Sequence, residues 1–229
     1  MIGITFALRS ESSDLLRALN SKHRAGELIF GEIANRELAI VHTGVGAKHC
    51  SERLELLVHK ARPDFIISAG FAGAVTNELH TGDLILAENF SDPQLTAQAA
   101  QILSKEHARR AKLFTSTSIV DSIDERNEIA RASGATAVDM ETGGIAAACD
   151  AHDIRLISLR AISDSPSEPF PAPMSILFDI ERQRANYGRL LAYILREPAA
   201  IPRLMRFGRA IAGARTKLTD AIVTLIRKL

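Results

Sequence analysis

Four places in the sequence gather residues able to move protons or hold charge. Glu11 follows the apolar run Ile2–Leu8. Gly70, Phe71, Ala72 and Gly73 follow the run Phe65–Ala69. Asp139, Met140 and Glu141 follow Ala135–Val138. Arg160, Ser163 and Asp164 lie at the end of the run Ile154–Ile162. Each run reads as a buried strand, and in open α/β sheets ligands bind beyond the carboxyl ends of the strands. Carboxyls at such ends are candidates for acid–base work on a small molecule. Each feature also has an ordinary structural reading. Glu11 suits a helix dipole, and the glycines suit a tight turn. Asp139 suits an N-cap, and Asp164 suits a turn before a proline-rich loop. Arg9 fits an anion site or a solvated helix start. Cys50 and Cys149 read as small buried apolar groups. The seven histidines show no metal-ligand spacing, so no metal is expected.

The elements that must position these residues follow from hydrophobic pattern and breakers. Segments 28–33 and 37–42 read as a β-hairpin, and Thr43-Gly-Val-Gly46 breaks the pattern. A helix is expected over 47–61, ending at Arg62-Pro63-Asp64. A strand is expected over 83–87, a helix over 93–111 with proline at its start, and a strand over 113–120. A helix starts near Asp121. Residues 141–152 read as an alanine-rich helix. Ser165–Pro173 holds four of the eight prolines and must be a loop. A helix is expected over 174–195. Alternation of strands and helices argues for an α/β fold with a mostly parallel sheet.

Composition excludes several classes. Hydrophobic residues make up 46% and charged residues 24%, as in ordinary globular chains and unlike disordered ones. The formal charge of +1 offers no global reason for a nucleic-acid partner. Two cysteines make no disulfide framework, and no basic stretch precedes the N-terminal apolar run. A cytoplasmic protein is the expectation. The charge is uneven along the chain: residues 196–229 carry +6 and residues 1–195 carry −5. A catalytic domain over 1–195 and a basic helical tail over 196–229 are expected.

The order of these pieces resembles the purine nucleoside phosphorylase/nucleosidase superfamily, most of all methylthioadenosine/S-adenosylhomocysteine nucleosidases. The strongest match is Ala137-Val-Asp-Met-Glu-Thr-Gly-Gly-Ile-Ala146, followed by Leu159-Arg-Ala-Ile-Ser-Asp164. Gly3–Glu11, Thr43–Gly46, Ser68–Gly73 and Thr81–Asp83 support it. The resemblance implies a three-layer α/β/α fold around a mixed twisted sheet, a homodimer, an adenine nucleoside substrate and no cofactor. It implies that Asp164 protonates or hydrogen-bonds N7 of the departing purine. Adenine leaves badly as an anion, and a carboxyl in a partly closed pocket can supply the proton. Glu141 would accept from the ribose hydroxyls, Met140 would pack under the sugar, and Glu11 would activate water. Asp139 would belong to the same substrate-binding strand end. Ser163 would orient Asp164, Arg160 would be a supporting charge, and Ile119 and Val120 would bracket the base. Phe71, Ala72 and Gly73 would line the nucleophile side.

Four departures stand beside the match, one being Thr117 near a position where the family has Asp. Phe71 occupies a position where these nucleosidases usually carry serine. The segment 88–113 is short. The tail resembles that of hopanoid-associated phosphorylases, whose substrate would be an adenosyl-linked hopane lipid. Leu204, Phe207 and Ile211 sit at helical spacing with Arg203, Arg206 and Arg209 beside them. Such a helix can lie at an anionic membrane, here the inner surface, or can pack on the body or on a second subunit. Hydrolysis is favoured over phosphorolysis because a carboxylate at Glu11 would repel phosphate, although Arg9 offers an anion ligand. A non-catalytic nucleoside-binding protein is the reading from another class.

Overall fold

A computed structural model describes residues 1–44, 47–179 and 184–229. The elements in order are β1 (Ile2–Phe6), α1 (Ser13–Ala18), β2 (Asn20–Ala25), β3 (Leu28–Ile33), β4 (Arg36–His42), α2 (Ala47–Ala61), β5 (Phe65–Ala74), β6 (Leu84–Ala87), α3 (Pro93–Ile102), β7 (Arg109–Ala111), β8 (Leu113–Thr115), α4 (Ile123–Ser133), β9 (Ala137–Asp139), α5 (Thr142–Ala151), β10 (Arg155–Asp164), α6 (Met174–Leu177), β11 (Phe178–Asp179), β12 (Arg184–Ala185), α7 (Tyr187–Arg196) and α8 (Ile201–Lys228).

Ten strands form one mixed sheet in the order β2-β3-β4-β1-β5-β10-β6-β7, with β9 paired to β5 and β8 to β9. The centre is parallel: β1 pairs with β4 and β5, and β5 with β10. The β2-β3-β4 edge and the β10–β6 pair are antiparallel.

The central strands alternate between two cores, as the period of two requires. Ile4, Leu38, Ile40, Ile67, Ile157 and Leu159 face a core closed by α1, α3 and the second half of α8. Val41, Ile66 and Leu156 face the other core, with Leu54, Leu57, Ile145 and Cys149 from α2 and α5. Helices on both faces make three layers, as expected.

Several elements differ from expectation. Gly70–Gly73 is strand rather than turn, because β5 runs on to Ala74, held by β10 and β9. The helix expected over 93–111 ends at Ile102, and Arg109–Ala111 pairs in parallel with β6. Asp92 caps α3 by accepting from the Leu95 N–H at 2.8 Å. The strand expected over 113–120 stops at Thr115. The helix expected over 174–195 is divided into α6, a short β11–β12 pair and α7. Asn186 caps α7 through the Arg189 N–H. Strand β2 was not expected, since its six residues are exposed and show no alternation. Val45 and Gly46 of the Thr43–Gly46 motif lie outside the described residues.

The basic tail does two things. Ala214, Leu218, Ala221, Ile222, Leu225 and Ile226 of α8 are core residues packed with the strands. The first half of α8 lies farther out, with Ile201 and Met205 exposed. No helix among the described residues is long and apolar enough to cross a membrane.

Candidate active site

The carboxyl ends of β1, β5, β9 and β10 open onto one cavity of about 930 Å³. Glu11, Met140, Glu141, Ser163 and Asp164 all line it, as do Phe71, Ala72, Gly73, Ile119, Val120, Asp139 and Arg9. Arg160 does not line this cavity. It lies beneath, against a small void shared with Glu11 and Glu141.

Glu11 sits in the turn after β1 and is 6% exposed. The Leu8 N–H donates to its Oε2 at 2.8 Å, and the Phe71 N–H donates to its Oε1 at 3.2 Å. Burial raises its carboxyl above the usual range, and these two amides oppose the rise. Phe71 therefore serves Glu11 through its backbone, while its side chain packs against the central core.

Asp139 is engaged from within. Its Oδ1 accepts from Thr115 Oγ at 3.1 Å, and its Oδ2 accepts from Arg160 Nε at 3.1 Å. Its oxygens also take the N–H of Thr142 and, at Oδ2, the Thr142 hydroxyl. It thus ties down the start of α5, although the cap position is held by Glu141 and not, as expected, by Asp139. Arg160 spends its remaining donors on Ser68 O, Ser68 Oγ, Leu159 O and Thr142 Oγ. This saturated buried pair forms the platform under Glu141.

Glu141 stands at the head of α5. Burial, then the charges of Asp139 and Glu11, push its carboxyl up to about 8, with Arg160 pulling the other way.

Asp164 ends β10 past a register irregularity between Ile162 and Asp164, which re-aims its side chain. Ser163 Oγ donates to its Oδ1 at 2.5 Å. Its Oδ2 is ion-paired with Arg126 of α4, and both side chains are 2% exposed.

Sequence reasoning missed Arg126. The available signal was its place three and four residues before Ile129 and Ala130, on the inner face of α4. It also missed His42, which lines the cavity and shares a 2.7 Å hydrogen bond with Ser12 Oγ. Burial, then the charges of Arg9 and Arg24, lower the His42 imidazole to about 4, so it is neutral near pH 7. The outer cavity wall is apolar, built from Phe170, Leu177, Phe207 and Ile211, with Tyr187 beside them. Among the described residues, no group of three or more His, Cys, Asp or Glu side chains is placed to hold a metal ion.

The model of the phosphorylase superfamily matches residues 2–109 and 88–196. The chain belongs to that superfamily. Among curated relatives it is 26% identical over 196 residues to a 5'-methylthioadenosine/S-adenosylhomocysteine nucleosidase of Staphylococcus aureus, covering 72% of this chain and 86% of the relative. Among solved structures it resembles the S-adenosylhomocysteine nucleosidase of Streptococcus pyogenes in complex with 5-methylthiotubericidin. The TM-score is 0.75 at 23% identity, with 100% and 96% of the two chains covered. It also resembles the futalosine hydrolase of Helicobacter pylori, with a TM-score of 0.72 at 17% identity over 100% and 97%. This superfamily fold brings Glu11, Glu141 and Asp164 together from positions far apart in the chain.

Proposed function

We propose that the protein hydrolyses the N-glycosidic bond of an adenine nucleoside of the methylthioadenosine/S-adenosylhomocysteine type. The observation that carries this reading is the meeting of Glu11, Glu141 and Asp164 on one cavity. The S. aureus relative, a nucleosidase by name, supports it. Asp164 faces N7 and, in its protonated form, gives that proton to N7 as C1′–N9 breaks, so that adenine departs neutral and Asp164 is left as the carboxylate that Arg126 and Ser163 hold. Glu141 accepts from the ribose 2′- and 3′-hydroxyls and favours positive charge on the sugar. Met140 packs under the ring, and Ile119 and Val120 bracket the base. Glu11 takes a proton from water as its oxygen attacks C1′. Burial makes Glu11 a stronger base, and the two amide donors hold both its oxygens in place. Action as a homodimer in the cytoplasm belongs to the same reading.

A second reading rests on the outer wall. A cavity of about 930 Å³ is near the top of the roughly 300–1,000 Å³ of drug-sized pockets. Phe170 and Phe207 meet edge-to-face at 5.8 Å across its apolar side. Tyr187, Leu191 and Leu195 of α7 are exposed nearby. These features favour an adenosyl group with a large apolar 5′-substituent, such as an adenosyl-linked hopane lipid, taken from a membrane surface.

Adenine release from methylthioadenosine, with and without phosphate, separates the possibilities. Free methylthioribose without phosphate is the expected product. Release that needs phosphate would move the nucleophile site to Arg9. Absence of release in both buffers would favour the lipid-linked substrate. Asp164→Asn is expected to lower turnover by about 10²–10⁴-fold and to leave ligand binding largely intact. An unchanged rate would remove Asp164 as the leaving-group acid, and binding without turnover in the unmodified protein would mark a non-catalytic role.

A further inference from the structure

Arg126 is the bulkiest fully buried side chain among the described residues. A buried guanidinium persists only where its donors are matched. Here Nη1 donates to Ala74 O at 2.6 Å, and Nη2 donates to Val120 O at 3.2 Å and to Asp164 Oδ2. One planar fork thus joins three separate elements: the end of β5, the base-side wall and the carboxyl at the end of β10. Ser163 holds the other oxygen of that carboxyl. Rotating the Asp164 carboxyl would break both contacts. The space beside it is also closed, since a Cβ on Gly73 would lie 3.2 and 3.3 Å from the two Asp164 oxygens and 3.6 Å from Arg126 Nη1. Arg126 itself does not line the cavity, so it acts through Asp164 and Val120.

We propose that Arg126 is a positioning residue for N-glycosidic cleavage, gripping Asp164 and the Val120 carbonyl in one fork so that the carboxyl meets the purine in register. The inference rests on the reading of Asp164 as the group that faces N7. Arginine suits the task because its donors are fixed in a plane and can serve several acceptors at once, which a lysine ammonium on a flexible stem cannot do in the same geometry. A misplacement of about 1 Å at a reacting group can cost roughly 10²-fold in rate.

The test is steady-state adenine release by Arg126→Lys, Arg126→Met, Asp164→Asn and the Arg126→Lys/Asp164→Asn double variant, with melting curves for each. Arg126→Met is expected to lower kcat by about 10²-fold and Arg126→Lys by about 10-fold, with KM within about threefold of the parent. Adding Arg126→Lys to Asp164→Asn is expected to change kcat by less than about twofold, because the two act as a unit. Should Arg126→Met fail to fold, Arg126→Lys, which keeps the charge, and the double variant decide. A parental kcat in Arg126→Lys, losses confined to KM, or losses that multiply in the double variant would overturn the proposal. An unchanged rate in Asp164→Asn would instead overturn the reading of Asp164 on which it rests.

Discussion

Glu141 carries a consequence that can be read without any substrate. Its carboxyl moves from an ordinary value of 4.5 to about 8 on folding, chiefly through burial and then through Asp139 and Glu11. Below the ordinary value both folded and unfolded chains hold the proton. As pH rises toward 8 the unfolded chain releases it while the folded chain keeps it. Stability from this group is therefore full at low pH and is lost as pH rises through the folded value. Glu11, also raised by burial, adds in the same direction. Glu141→Gln removes the titration. Its melting temperature is expected to rise relative to the parent between about pH 5 and pH 8.5. A difference that is constant over that range would contradict the buried, charge-crowded setting of Glu141. Ribose hydroxyls would then find a carboxylate that binding itself helps to ionise, since hydrogen bonds to the charged form favour it.

At the scale of the element, β5 shows how a strand can be shaped around its neighbours. Glycine inside a strand weakens it and often marks a place where something approaches the backbone closely. Gly70 leaves room for Glu11, whose Oε1 would be 3.2 Å from an added Cβ. Gly73 leaves room for Asp164 in the same way, and its register partner on β10 is Asp164 itself. The tetrapeptide Gly70–Gly73 is thus a strip of strand cleared on behalf of two carboxyls. Gly73→Ala would press the Asp164 carboxyl by a few tenths of an ångström against its Arg126 partner. A fall in kcat of about 10–10²-fold is expected, with the fold retained. Parental turnover in Gly73→Ala would show that the carboxyl tolerates displacement. Sequence pattern located this segment but assigned it to a turn, because small residues after an apolar run are the usual mark of one. The strand persists because β10 on one side and β9 on the other supply hydrogen-bond partners that no local pattern reveals.

On the scale of the whole molecule, α8 joins the outer wall of the cavity to the core. Phe207 and Ile211 line the cavity, while Leu218, Ile222 and Leu225 are fully buried against the sheet. Arg215 of the same helix donates to Asp14 of α1 at 2.8 Å. Removing residues 197–229 would therefore strip from one face of the sheet the helix that covers it together with α1 and α3, and such a truncation cannot report on membrane contact alone. Ile222→Ala is expected to cost about 2–5 kcal/mol in denaturant unfolding, the usual range for truncating a buried isoleucine. A cost within about 0.5 kcal/mol, typical of surface positions, would contradict its place in the core. Membrane contact is better tested on the exposed face. Leu191 and Leu195 are 59% and 74% exposed, and Arg203, Arg206 and Arg209 lie on the adjoining helix. The intact protein is expected to sediment with anionic liposomes at low salt, and Leu191→Glu/Leu195→Glu is expected to abolish this while leaving the melting temperature unchanged. Absence of sedimentation by the intact protein would remove the membrane contact.

What the sequence determined by itself was the set of central strands and the chemistry placed after them. A period of two and runs of β-branched residues are local signals, and Glu11, Asp139–Glu141 and Ser163–Asp164 each adjoin such a run. The superfamily resemblance was legible for the same reason, as short motifs in fixed order. Tertiary structure alone decided which carboxyls are held and by what. Arg126 meets Asp164 across 38 residues, and the Phe71 amide meets Glu11 across 60. It also decided that a basic tail supplies a core helix, and that a polar segment, Asn20–Ala25, is a strand by virtue of pairing with β3. The carboxyl contacts and the packing of the tail depend on partners distant in the chain, while β2 depends on an adjacent strand, and neither the spacing nor the type of a residue specifies the group that folding brings against it.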